Sequence, residues 1–162
     1  GGAPSIRYAE LERSVSPAAS LQEVRRSVLE LRRRKSMVLD ANDPNRRSAG
    51  SFFLNPILSR DELARVTEQA LRDGLIAEPR EMPAYASGDG GTKLAAAWLI
   101  EKAGIAMGTR RGAVGFSTRN ALALVHHGGG TTAELLAFAD EIRARVRERF
   151  GVELEREPRL LA

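Results

Sequence analysis

The sequence contains no cysteine. That excludes disulfides, thiolate metal sites and a cysteine nucleophile, and a reducing, cytoplasmic setting is the default expectation. Lysine is scarce too: Lys35, Lys93 and Lys102 are all there are, and arginine supplies the rest of the 25 basic residues. Aromatics are one Trp, two Tyr and five Phe, and none interleaves with the basic run Arg32-Arg33-Arg34-Lys35. Nucleic-acid binding, which wants a basic stripe beside stacking rings, is therefore not expected. No apolar run approaches the ~18 residues of a spanning helix, and Gly1–Glu10 has no signal-peptide apolar core, so no membrane partner is expected. What remains is a 162-residue chain, 43% hydrophobic, with a net charge of +4. That suits one packed domain, with much of its positive charge on helical faces beside Glu, as at Glu141 and Arg145.

Residues 1–20 read as a lead-in with no helix or strand of their own, punctuated by Gly1-Gly2, Pro4 and Pro17. A chain that starts this way is expected to be cut from something longer. Ser20-Leu21-Gln22-Glu23 is a capping box, and Leu21, Val24, Val28 and Leu31 follow at helical spacing, predicting an amphipathic helix to about Lys35. Asn42-Asp43-Pro44-Asn45 is turn chemistry. Gly50–Pro56 predicts a short aromatic strand stopped by proline. A second capping box at Ser59–Glu62 opens a helix with Leu63, Val66 and Ala70 inward, closing near Gly74.

Ile76–Gly91 predicts an exposed loop carrying Tyr85. Thr92–Ala103 predicts a helix, apolar all round and hence buried. Ala121–Val125 reads as an apolar strand, and Gly128-Gly129-Gly130 as a turn. Thr131-x-x-Glu134 caps a long helix burying Leu135, Ala139, Ile142, Val146 and Phe150. Val152–Glu157 alternates apolar and acidic residues like a strand. The expected class is α+β, helices packed on one face of a small, mainly antiparallel sheet.

Motif chemistry is sparse. Gly88-x-Gly90-Gly91 before a helix suits either anion binding or a flexible loop ending in a Thr92 cap, and it lacks dinucleotide-binding spacing. His126 and His127 are adjacent, so on a strand they face opposite sides and make a poor metal pair; no metal is expected. There is no GxSxG elbow, HExxH or Walker loop. Ser51, small and polar between a glycine and two phenylalanines, reads either as a reactive hydroxyl or as one bonding a neighbouring backbone group. For Glu157, between arginines at a strand end, a solvated carboxylate is the ordinary explanation.

Three ordered motifs add to this. Ser-Ala-Gly-Ser-Phe-Phe-Leu-Asn-Pro (Ser48–Pro56), Lys-Leu-Ala-Ala-Ala-Trp-Leu-Ile (Lys93–Ile100) and Phe-Gly-Val-x-Leu-x-x-Glu (Phe150–Glu157) resemble the C-terminal, substrate-binding domain of the UDP-N-acetylenolpyruvoylglucosamine reductases (UDP-N-acetylmuramate dehydrogenases). The resemblance runs from Leu21 to Ala162, leaving residues 1–20 as the linker from a flavin-binding domain. It implies a bacterial, cytoplasmic flavoenzyme of peptidoglycan precursor synthesis. NADPH reduces FAD, and the enolpyruvyl group of UDP-N-acetylglucosamine enolpyruvate then receives a hydride at C3 and a proton at C2.

By position, the resemblance implies that Ser51 is the proton donor and Glu157 the carboxyl near the substrate carboxylate. It likewise implies that Lys35, Asn55, Tyr85, Lys93 and Asn120 bind substrate, Lys93 from a helix N-terminus. Met107 and Leu54 stand where many members have lysine. The flavin-binding part of such an enzyme would precede Gly1, so this fragment alone is expected to be inactive. A second reading keeps the fold without the catalysis, as a module that binds a nucleotide sugar or a protein.

Overall fold

The computed structural model describes residues 4–88 and 90–160; Gly1-Gly2 of the expected lead-in lie outside them. The chain divides into two compact units, Gly1–Arg46 and Arg47–Ala162.

In the first unit, α1 (Ala9–Glu12) gives the lead-in one helical turn that its sequence did not predict. Helix α2 (Leu21–Arg34) starts at the expected capping box: Ser20 accepts from the Glu23 amide, and the Glu23 carboxylate accepts from the Ser20 amide at 2.8 Å. Its apolar stripe is less covered than the periodicity implies. Val24, Val28 and Leu31 are half-buried, and Leu21 is exposed. The expected turn is an Asx turn, the Asp43 carboxylate accepting from the Asn45 amide at 2.8 Å.

The second unit is the α+β fold that the pattern predicts, with its strands divided between two antiparallel sheets. One sheet holds β1 (Ser48–Ser51), β5 (Arg110–Arg111), β6 (Val114–Phe116) and β7 (Ala123–His126), in the order β1-β7-β6-β5. The other holds β2 (Ile57–Leu58), β3 (Ala84–Ala86) and β4 (Thr92–Leu94), in the order β2-β4-β3. Helices α3 (Arg60–Arg72), α4 (Ala96–Lys102) and α5 (Thr132–Phe150) complete the unit.

One core joins these elements. Val66 and Ala70 of α3, Leu99 and Ile100 of α4, and Ile142 and Val146 of α5 meet Leu94, Phe116 and Phe53 with almost no exposed surface. Both helices of this unit with caps legible in sequence begin where predicted, Ser59 and Thr131 closing reciprocal boxes with Glu62 and Glu134.

Three expectations are corrected. Thr92–Ala103 is not one helix: its first residues form β4, paired with both β2 and β3, and α4 starts at Ala96. The stretch from Ile76 to Gly91 is not all loop, because Pro79–Glu81 forms a 3₁₀ turn and Tyr85 sits in β3. The segment after α5 alternates as expected, Val152 and Leu154 buried against exposed Glu153 and Glu155, but pairs only through an isolated bridge between Arg156 and Phe53.

The two histidines at the end of β7 differ as the strand period requires. His126 accepts at Nδ1 from the Gly128 amide (3.1 Å) and meets the Gly130 carbonyl through Nε2 (2.8 Å), which assigns the proton to Nε2. The Nε2 of His127 is buried without a partner. Burial first, then Arg110 and His126, pushes its pKa below the ordinary histidine value. The folded state therefore binds fewer protons at His127 than the unfolded chain, and stability falls as pH drops below about 6.5. Urea midpoints at pH 7.5 and 5.5 should show this loss, and His127→Gln should reduce it. An undiminished loss in the variant would remove His127 as the cause.

Candidate functional site

The site is built around the residues that follow β1. Gly50 has φ of +87°, and the β1–β7 register slips between Ser48 and Ser51. A bulge of this kind re-aims the next side chain, and glycine takes the left-handed conformation without a Cβ clash. Local backbone bonding of the type considered for Ser51 belongs instead to Ser48, whose hydroxyl accepts from the Gly50 amide at 3.0 Å. Ser51 itself is half-buried, and its hydroxyl has no protein partner among the described residues.

Phe52 and Phe53 then anchor the chain in the core, their rings edge to face at 5.4 Å. Between these anchors the backbone is shared with both flanks. The Phe52 amide donates to the Leu122 carbonyl (2.8 Å), the Phe52 carbonyl accepts from the Glu157 amide (3.0 Å), and the Leu54 amide donates to the Glu155 carbonyl (3.0 Å). Glu157 is thereby fixed one residue from Ser51 across the pairing, although the two are remote in sequence. Gly151, with φ of +64°, ends α5 and turns the chain back toward this strip.

Asn55 comes next. Its side-chain Oδ1 accepts from the Ala96 amide at 2.9 Å, capping α4 from 41 residues away, while its NH2 group has no protein partner among the described residues. In the second sheet Lys93 lies opposite Ile57 on one side and Tyr85 on the other, so these three side chains form a cross-strand row on one face. Lys93 is thus on a strand, not at a helix N-terminus as its sequence context suggested.

Ser51, Asn55, Lys93 and Glu157 line one open hollow of about 400 Å³, walled by Phe53, Leu54, Ile57 and Leu122. Among the described residues, neither the Lys93 ammonium nor the Glu157 carboxylate has a salt-bridge partner. The hollow therefore offers a hydroxyl, an amide donor, an ammonium and a carboxyl against an apolar floor. No histidine lines it, so Ser51 has no general base beside it of the kind that activates a serine nucleophile. Such a set suits holding an anion and delivering a proton rather than acyl transfer. Among the described residues no group of three or more His, Asp and Glu is placed to hold a metal ion.

The remaining expected residues stand apart from this lining. Tyr85 is 60% exposed on the edge strand β3, beside Lys93 in the row. The Oδ1 of Asn120 accepts from the Leu122 amide at 3.1 Å, which closes the turn before β7. Lys35 belongs to the first unit, where it ion-pairs with Glu10 and meets the Tyr8 hydroxyl at 3.2 Å. The Glu10 hydrogen bond raises the Lys35 pKa. Two features of the site were not anticipated. The apolar walls Ile57 and Leu122 belong to no motif, and the Asn55 cap joins residues far apart in sequence.

Residues 43–161 match the family described as UDP-N-acetylenolpyruvoylglucosamine reductase, C-terminal domain. The chain belongs to this family. The match begins near the division between the two units, but similarity to whole family members extends further. The UDP-N-acetylenolpyruvoylglucosamine reductase of Thermobifida fusca is 52% identical over 157 residues, 94% of this chain and 44% of that protein. That of Streptomyces coelicolor is 46% identical over 94% of this chain and 40% of its own length. That of Mycolicibacterium gilvum is 41% identical over 99% of this chain and 45% of its own. The chain thus spans less than half the length of the reductases it matches, and its first unit has counterparts in them. Met107 and Leu54, at which the resemblance leads one to expect lysine, are both substantially exposed, and Leu54 lines the hollow.

Proposed function

We propose that this chain is the substrate-binding, proton-donating part of a bacterial, cytoplasmic UDP-N-acetylmuramate dehydrogenase of peptidoglycan precursor synthesis. The observation that carries the reading is the convergence of Ser51, Asn55, Lys93 and Glu157 on one hollow, where the Ser51 hydroxyl, the Lys93 ammonium and the Glu157 carboxylate have no protein partner among the described residues. Polar side chains that fold into a shared hollow without partners are the ordinary condition of a ligand site.

Both sheets are antiparallel, so the described residues include no parallel β–loop–helix seat for a dinucleotide. The open hollow, with its apolar floor beside the Ser51 hydroxyl, instead suits the reacting edge of a flat ring presented by another domain of the same protein. FAD held by that domain and reduced by NADPH would supply the hydride equivalent that the enolpyruvyl group takes up at C3.

The residues of this chain do the rest. Lys93 offsets phosphate charge on UDP-N-acetylglucosamine enolpyruvate, and Asn55 donates from its free amide. The Glu157 carboxyl stands beside the substrate carboxylate, on which electron density gathers during the reaction. Ser51 gives its hydroxyl proton to C2: the O–H bond breaks, the C2–H bond forms, and the serine oxygen regains a proton from water. Tyr85 extends the Lys93 row over the nucleotide. Lys35 and Asn120 are the further contacts that the resemblance implies.

Lys93→Met in the full-length protein tests the binding half of this reading. Loss of a charge-assisted contact of about 1.5–3 kcal/mol should weaken sugar-nucleotide binding roughly 10- to 100-fold. Flavin reduction by NADPH should be unaffected. Unchanged affinity would place the anion elsewhere. Titrated alone, these 162 residues should bind FAD more weakly than submicromolar.

A further inference from the structure

Glu157 is exposed and makes no ion pair among the described residues, so its own side chain does not fix its direction. On the Ser51 side its segment is tied by one isolated bridge, made of two backbone hydrogen bonds. A ladder that short leaves a strand free to shift by an ångström. The opposite side is tied by α5. The Arg143 Nε donates to the Leu154 carbonyl at 2.9 Å, and the Arg156 Nη2 donates to Asp140 at 2.7 Å. Arg143 also reaches Asp140 at 3.1 Å, joining the two ties into one network. Burial opposes ionisation of Asp140, but hydrogen bonds from Arg143 and Arg156 outweigh it and hold the carboxyl below its ordinary range.

We propose that Asp140 and Arg143 are positioning residues for the reaction: they clamp residues 154–156 against α5 and so fix where Glu157 enters the hollow and how far it stands from Ser51. The inference rests on the reading in which the Glu157 carboxyl meets the substrate. Asp140 and Arg143 are partly exposed, and exposed ion pairs add little to stability. The consequence of the clamp is therefore geometric. A displacement of about an ångström at a reacting group is enough to slow a reaction by up to about a hundredfold.

The test uses the full-length holoenzyme and four variants: Asp140→Ala, Asp140→Glu, Glu157→Gln, and Asp140→Ala with Glu157→Gln. In Asp140→Ala, amide hydrogen exchange across 153–157 should quicken, and flavin reoxidation by the sugar nucleotide should slow roughly tenfold. Flavin reduction by NADPH should not change. Asp140→Glu should restore most of the lost rate. The double variant should be no slower than Glu157→Gln alone, since the clamp acts through that residue. Unchanged exchange in Asp140→Ala overturns the clamp, whereas quickened exchange with wild-type reoxidation overturns its role in the reaction. Additive losses in the double variant overturn the route through Glu157. Wild-type reoxidation in Glu157→Gln instead removes the functional reading of that residue, and the positioning role with it, while exchange still reports on the clamp.

Discussion

Ser51→Ala in the full-length protein is expected to leave flavin reduction by NADPH intact while slowing flavin reoxidation by the enolpyruvyl sugar nucleotide by about 10²- to 10⁴-fold. The size follows from what a positioned proton donor contributes to a carbon protonation. The separation of the two half-reactions follows from the site, because the hydroxyl has no protein partner and lies in the hollow rather than in the core. Removing one oxygen there strands no hydrogen bond and opens no buried cavity. Stability should accordingly move by no more than about 0.5 kcal/mol, so slow turnover could not be blamed on unfolding. Stopped-flow absorbance of the flavin reads both steps. Wild-type rates in both would leave Ser51 without this role. Slowing of both by the same factor would instead point to a disturbed flavin domain.

The parts of the fold legible in the sequence are those whose causes are local. Ser20, Ser59 and Thr131 each sit three residues before a glutamate, and all three close the reciprocal bonds that this spacing allows. The inward faces of α3 and α5 follow equally from period, with Val66, Ala139, Ile142 and Val146 fully buried. Helix α4 shows where local reasoning stops. Its first free amide is satisfied by Asn55, a residue no window around Thr92 contains, and Lys93 is drawn into a strand by neighbours on both sides. Tertiary pairing overrode a helical composition there.

The site divides in the same way. Residue chemistry alone favours the ordinary readings of Ser51 and Glu157, and the order of three motifs is what singles them out. Their meeting depends on Phe52 sharing its amide with Leu122 and its carbonyl with Glu157, a relation invisible to spacing. The Asp140–Arg156 tie, 16 residues apart and spanning the end of α5, leaves no pattern either. The i,i+3 spacing of Asp140 and Arg143 is that of any solvated helix pair and carries no signal of a role at the site.

Phe53→Ala should be the most destabilising single change around the site, lowering unfolding free energy by about 3 kcal/mol. The ring is 1% exposed, stacks edge to face on Phe52, and belongs to the core shared by the helices and the Ser51 strip. The expected cost lies toward the lower end for a buried aromatic because Phe53 also forms a wall of the hollow, so the space vacated opens to water rather than remaining an empty void. Phe116→Ala provides the comparison. It is equally buried, packs edge to face on Phe138 at 6.4 Å, and lies on β6 away from the hollow's lining. Both variants should lower the urea midpoint. In the fraction that stays folded, however, Phe53→Ala should also weaken sugar-nucleotide binding, because Phe53 is the residue bridged to Arg156 and sits between the backbone bonds that seat Glu157. Phe116→Ala should leave that affinity unchanged. Equal losses of affinity in the two variants would mean that the hollow depends on the core at large rather than on the strip joining Ser51 to Glu157.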